Sequence, residues 1–159
     1  MTKANAQLPL CGLDPSLTAT GLVVLQPFYD ACTIKSTPLP KGARNVHDHS
    51  ARIESTAARI AELVPVGALV AIEEPARRAK HGNPDERSGL RWSIIGRLRH
   101  RGCLVVQVPP KSAKMWLTDN GNADKPGMIA AARSLAPDGL QIKTEHEADA
   151  FAMATMLAA

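Results

Sequence analysis

A chain of 159 residues with net charge +4, 45% hydrophobic residues and only 3% aromatics has the size of one domain, spanning residues 1–159. Such a domain buries about two thirds of its unfolded surface, and its core must be built from Ala, Val, Leu and Ile. No stretch approaches the roughly 18 consecutive apolar residues of a membrane span, and the first seven residues lack the apolar centre of a signal peptide, which points to the cytoplasm.

Three short apolar runs come first, at about 8–14, 21–25 and 31–35, joined by short turns as in an antiparallel meander. The first ends on a carboxylate, in Leu10-Cys11-Gly12-Leu13-Asp14. A charge at the end of a buried strand costs several kcal/mol unless something compensates it, and a bound cation is a common remedy. After a loop with two prolines, Ile53, Ala57, Ile60, Ala61 and Val64 recur at helical spacing and predict a helix over about 50–64. Residues 68–73 form an apolar run without alternation, as expected of a central strand covered on both faces, and it ends at Glu73 and Glu74 before Pro75.

A helix follows over about 87–101, with Leu90, Ile94, Ile95 and Leu98 as its apolar stripe, and then a strand over 104–108. Pro109-Pro110 opens a short helix through Trp116 and Leu117. Both Trp92 and Trp116 read as packing residues. Asp124 is placed to cap a helix over 125–135, with Pro126 tolerated in its first turn. The last helix covers about 145–157. Three meandering strands followed by strands alternating with helices describe an α/β domain: a five-stranded mixed sheet with helices on both faces. Cys11, Cys32 and Cys103 fall in predicted strands without C-x-x-C spacing, and read as small buried hydrophobes in a reducing compartment.

Charge is unevenly spread. Residues 77–101 hold eight basic side chains (Arg77, Arg78, Lys80, Arg87, Arg91, Arg97, Arg99, Arg101) against Asp85 and Glu86. That concentration in an otherwise mildly acidic body suggests a polyanion partner.

Asp14 and Glu73 stand at the ends of strands that neighbour each other in such a sheet. On the last helix His146 and Asp149 are three apart and share a face. Glu145, four before Asp149, is able to point the same way, whereas Glu147 falls on another, solvated face. Two strand-end carboxylates with a helical His and Asp suit Mg²⁺ or Mn²⁺, which favour oxygen ligands. A pair of such ions activates water and stabilises the leaving oxygen in phosphodiester cleavage.

Gly12-Leu13-Asp14-Pro15-Ser16 with Thr20-Gly21, then Ala71-Ile72-Glu73, then Glu147-Ala148-Asp149-Ala150-Phe151-Ala152, in that order over nearly the whole chain, resemble the RuvC family of Holliday junction resolvases. The resemblance implies an RNase H-like fold and a metal-dependent endonuclease that cleaves branched DNA to 5′-phosphate and 3′-hydroxyl ends. It implies Asp14, Glu73, His146 and Asp149 as ligands for two Mg²⁺ ions, with Mn²⁺ as a substitute. His146 stands where most members carry Asp, and Glu145 is the alternative fourth ligand. Lys114 and Lys125 match the family's basic residues near the scissile phosphate, and Arg77, Arg78 and Lys80 would hold the branch point. The family dimerises through the helix matching 87–101, where Gly89, Ser93 and Gly96 permit close contact, so a homodimer is implied.

Three departures stand out. Ser16 replaces a glycine, so the first turn must be built differently. Ala76 lies where the family's junction-wedging aromatic is sought, and the C-terminus carries no basic tail, as in a phage-type member. Two other readings compete: a branched-DNA-binding protein that has lost cleavage, motivated by His146 and the missing aromatic, and a relative of the actin-like ATPases, for whose two lobes the chain is too short.

Overall fold

The computed structural model describes residues 8–26, 28–42, 45–75 and 83–159. Strands β1 (Leu10–Asp14), β2 (Ala19–Val24) and β3 (Asp30–Lys35) come first, then α1 (Val46–Leu63), β4 (Leu69–Glu73), α2 (Pro84–His100) and β5 (Leu104–Val108). Helices α3 (Pro110–Thr118), α4 (Lys125–Leu135) and α5 (Glu145–Ala158) complete the fold. The sheet order is β3-β2-β1-β4-β5, with β1 antiparallel to β2, β2 antiparallel to β3, and β4 parallel to both β1 and β5. This is the mixed five-stranded sheet expected from the sequence.

Alternation along the strands divides the core in two. Cys11, Leu13, Leu22, Val24, Val70 and Ile72 meet Ile60, Val64, Leu90, Ile94 and Leu98 of α1 and α2 on one face. Leu10, Val23, Ala71 and Val108 meet α3, α4 and α5 on the other, with Phe151 and Met153 among the buried side chains. All four residues of the predicted α2 stripe are buried. Cys103 is buried as expected but precedes β5, and Cys32 is only half-buried.

Helix α5 lies close against β1 and β2, and two glycines make this possible. A Cβ on Gly12 would stand 1.8 Å from the Ala150 carbonyl oxygen, and one on Gly21 would stand 1.9 Å from the His146 carbonyl oxygen. Small residues on the helix answer them, with Ala148, Ala150, Ala152 and Ala154 all buried. The approach is thus set by backbone against backbone, leaving no flexible side chain to absorb an added methyl group.

Several elements start earlier than their apolar periodicity indicates. Helix α1 begins at Val46 because Asn45 caps it, its side-chain oxygen accepting from the Asp48 amide at 2.9 Å. Helix α2 begins at Pro84, whose fixed φ suits a first helical turn. The first turn is indeed rebuilt around Ser16: its Oγ accepts from the Thr18 amide (3.3 Å), and the Thr20 hydroxyl accepts from its own amide (3.3 Å). Hydroxyl groups thereby do the work of a local turn without requiring a left-handed residue.

Trp92 and Trp116 do not pack as expected. Trp92 is 58% exposed and Trp116 49% exposed. The indole of Trp116 donates to Thr155 Oγ1 at 3.0 Å, and Trp92 lies under the Arg91 guanidinium, 5.0 Å from the ring centroid. Each sits at the edge of its helix's buried face, a position that periodicity alone does not separate from the core.

Candidate active site

Asp14 is the last residue of β1. Pairing places it opposite Gly21 of β2, and Leu13 opposite Ile72 of the parallel β4. One step on, both central strands end in a carboxylate, so Asp14 and Glu73 are neighbours for a topological reason. Asp14 is 9% exposed and Glu73 is half-buried. Gly21 lets the start of α5 press down beside Asp14, and the His146 ring donates from Nδ1 to Asp14 Oδ2 at 2.8 Å. Asp149, one turn later, feels the charge of Asp14 and completes the cluster.

The electrostatics of this cluster are those of like charges held together. Burial first, then the charges of Asp14 and Asp149 and a hydrogen bond to Asp14, push the Glu73 carboxyl up to about 8, opposed by the Arg87 guanidinium. Burial and Asp14 push Asp149 up to about 6, opposed by Lys114 and His146. The hydrogen bond to Asp14 raises His146 despite its burial.

All three shifts have the same sign for stability. Carboxyls raised above their unfolded values hold protons that the unfolded chain releases, so their contribution to stability falls as pH rises through the interval between the two values. The His146 contribution is present below the ordinary imidazole value and is lost as pH climbs through its raised one. Melting followed by circular dichroism is therefore expected to show the metal-free protein losing stability from about pH 4 to about pH 8, with Asp149 contributing below pH 6 and Glu73 across most of the range. Millimolar Mg²⁺ or Mn²⁺ should raise the melting temperature more at the upper pH, because cations bind the deprotonated set. An equal rise at both would count against a cation site here.

Among the described residues no three His, Cys, Asp or Glu side chains form a ready-made metal cage. The donor set nevertheless suits a hard divalent cation, with three carboxylates, two of them raised by burial and by the charge of Asp14, plus one imidazole. Asp14, Glu73, His146 and Asp149 are the residues that would hold it.

The alternative fourth ligand, Glu145, stands near enough for its charge to raise Asp149 and His146, but it is paired with a lysine. The Glu145 carboxylate accepts from Lys125 Nζ at 2.7 Å and reaches His146 Nε2 only at 4.0 Å. Lys114 is half-buried behind Asp149, its Nζ donating to the Ala123 carbonyl at 3.1 Å. Asp124 caps α4 as predicted, accepting from the Gly127 amide at 2.9 Å.

Glu147 corrects an expectation. The sequence reading places it on a solvated face, yet it is 3% exposed. It accepts from Thr33 Oγ1 (2.9 Å), from the Lys143 amide (2.7 Å) and from the Thr144 amide (3.3 Å), while Thr144 Oγ1 accepts from its own amide in return. This capping box ties the first turn of α5 to β3 and so sets the angle at which His146 and Asp149 meet the sheet. The pattern Thr144-x-x-Glu147 ahead of an apolar helix was the available signal.

The basic run also divides. Arg77, Arg78 and Lys80, with Ala76, lie outside the described residues. Arg91 is buried at 6% exposure and donates to the Glu73 carbonyl (3.3 Å) and to Gln107 Oε1. Arg97 pairs with Glu54, and Arg101 donates to the Val64 carbonyl at 3.0 Å. These three serve the fold. Arg87 lines a small cavity beside Glu73 with Pro15, Glu74 and Ser88, and Arg91 lines it too.

No protein-family model matches the chain, and no curated protein sequence matches it. Solved structures do. Thermus thermophilus RuvC superposes with a TM-score of 0.70 at 21% identity, over 95% of this chain and 93% of that one. The same protein in complex with a Holliday junction substrate gives 0.66 at 21% identity, over 96% and 93%. The yeast mitochondrial Holliday junction resolvase gives 0.54 at 10% identity, over 97% and 79%. The fold is that of RuvC. The RuvC-like sheet order is the frame that brings Asp14 and Glu73 to adjacent strand ends. No helix among the described residues is long and apolar enough to cross a membrane.

Proposed function

We propose that this chain is a RuvC-type endonuclease, a single catalytic domain that cleaves four-way junctions and related branched DNA. The observation that carries the reading is the convergence of Asp14, Glu73 and Asp149, with His146, from two parallel strands and the helix packed across them. Cations of the magnesium class, two per site, would be held there and, when bound, supply the positive charge that activates water and stabilises the leaving oxygen. Cleavage on this reading leaves 5′-phosphate and 3′-hydroxyl ends.

The chain's own residues do the rest. His146 orients the Asp14 carboxylate through its Nδ1 hydrogen bond, and Lys114 favours the ionised form of Asp149. Lys125, exposed at the rim, would hold the phosphate backbone, and Lys114 would join it on leaving the Ala123 carbonyl. Arg77, Arg78 and Lys80, within seven residues of Glu73, would extend that basic surface. With the acidic set intact, the reading as a binding protein without cleavage is not favoured.

Paired nicking of a junction needs two sites, and a symmetric dimer would provide them. A dimer through α2 would not use two of its small residues. Gly89 and Ser93 turn toward α1, where Ser93 donates to Glu54 Oε1 at 2.9 Å and a Cβ on Gly89 would stand 3.4 Å from Ile53. The free apolar surface is instead Trp92 on α2 together with Leu104 and Val106 on the edge strand β5. Trp92→Glu is expected to convert the protein to monomers in sedimentation velocity; an unchanged dimer would move the interface elsewhere.

A labelled four-way junction incubated with protein and Mg²⁺ tests the function. Paired, metal-dependent nicks near the branch point are expected, while binding without nicking across Mg²⁺, Mn²⁺ and neutral to alkaline pH would overturn the nuclease reading.

A further inference from the structure

Lys125 occupies a position that helix stability does not explain. It is the first residue of α4, and a cation there faces the positive end of the helix dipole. No acidic residue stands in that first turn. Its ammonium group is instead held at 2.7 Å by the carboxylate of Glu145, the first residue of α5. Two helix N-termini therefore meet around one ion pair, at the rim of the acidic cluster. The pair is open to water, with the Lys125 side chain 75% exposed and that of Glu145 31% exposed.

We propose that Glu145 is a placeholder for DNA, its carboxylate occupying Lys125 until a backbone phosphate displaces it. This rests on the nuclease reading above and adds a residue to it. Carboxylate and phosphate offer the same kind of anionic oxygen acceptors to an ammonium group. An exposed pair of this kind is weak, so exchange is easy. Glu145 competes with the incoming phosphate for the Lys125 ammonium group. Its net effect is to lower affinity for DNA, for product as for substrate, while keeping Lys125 extended toward the site.

The test is a double-mutant cycle on binding, using a fluorescent four-way junction without divalent ions. Glu145→Gln is expected to tighten binding by about two- to fivefold, a gain that damage to the fold would not produce. Lys125→Met should weaken binding, and Glu145→Gln should have little further effect in that background. Unchanged or weaker binding by Glu145→Gln overturns the placeholder role. So does equal tightening in both backgrounds, which would reflect only the removal of a nearby negative charge. A wild-type chain that binds no junction would overturn the nuclease reading together with this inference, whereas junction binding indifferent to Glu145 would overturn this inference alone.

Discussion

Asp14→Asn is expected to lower junction cleavage on the order of a thousandfold or more while leaving junction binding within a few fold of wild type. Asn keeps the size and one oxygen of the side chain but removes the negative charge on which the cluster is organised. With that charge gone, Glu73 and Asp149 lose the neighbour that adds to the effect of their burial, and the 2.8 Å hydrogen bond from His146 loses its charged acceptor. A cation held by fewer ionised carboxylates contributes less charge stabilisation. About 4 kcal/mol lost from the transition state is already a thousandfold in rate. Binding survives because the lysines and arginines at the rim are untouched, and one fewer negative charge does not weaken attraction to phosphate. Single-turnover cleavage beside anisotropy on the same junction separates the two effects. Cleavage by Asp14→Asn at the wild-type rate would show that the reacting centre lies elsewhere.

Gly21→Ala is expected to be nearly as damaging, for a steric reason. The added methyl group would stand 1.9 Å from the His146 carbonyl oxygen and 2.3 Å from its carbonyl carbon. Both are backbone atoms of α5, so relief requires the helix itself to lift from the sheet at the point where His146 reaches Asp14. Overpacking of this kind costs about 3 kcal/mol or more, which for a chain of this size lowers the melting temperature by roughly 10 °C. Cleavage should fall further than stability does, because the displaced residue belongs to the site. Gly96→Ala is the matched control: a Cβ there meets nothing within 4 Å. In a helix interior that exchange should stabilise by about 0.5–1 kcal/mol. Thermal melts of the two variants should move in opposite directions, and a Gly21→Ala protein with wild-type melting and cleavage would mean that α5 yields without cost.

Most element boundaries were legible because they rest on local patterns. The runs ending at Asp14 and Glu73, the Asp124 cap and the stripe of α2 each depend on residues close together in the chain, and they match the fold to within a residue or two at most ends. Where α1 and α2 start was less legible, because Asn45 and Pro84 act through cap and backbone geometry ahead of the apolar repeat. The fates of Trp92 and Arg91 were not legible, and that of Glu147 only through its capping pattern with Thr144. Arg91 and Glu147 sit on helices at positions whose burial depends on a partner distant in sequence: Gln107 for Arg91, Thr33 for Glu147. Spacing tells which residues share a face but not how wide the covered part of that face is.

The choice between His146 and Glu145 shows the same division. Both lie within one helical turn of Asp149, and the sequence by itself determined only that the two residues, together with Asp14, Glu73 and Asp149, were candidates for one acidic cluster. Tertiary structure decided their contacts. Opposite Gly21 the helix comes close enough for His146 to meet Asp14, and Glu145, one residue earlier and turned away by about 100°, meets Lys125 instead. The chain's own pattern specifies strands, helices and the carboxylates at their ends, because those follow from local periodicity and capping. Which carboxylate faces a neighbour and which faces a lysine depends on the distance between α5 and the sheet, and that distance is set by glycines more than a hundred residues away.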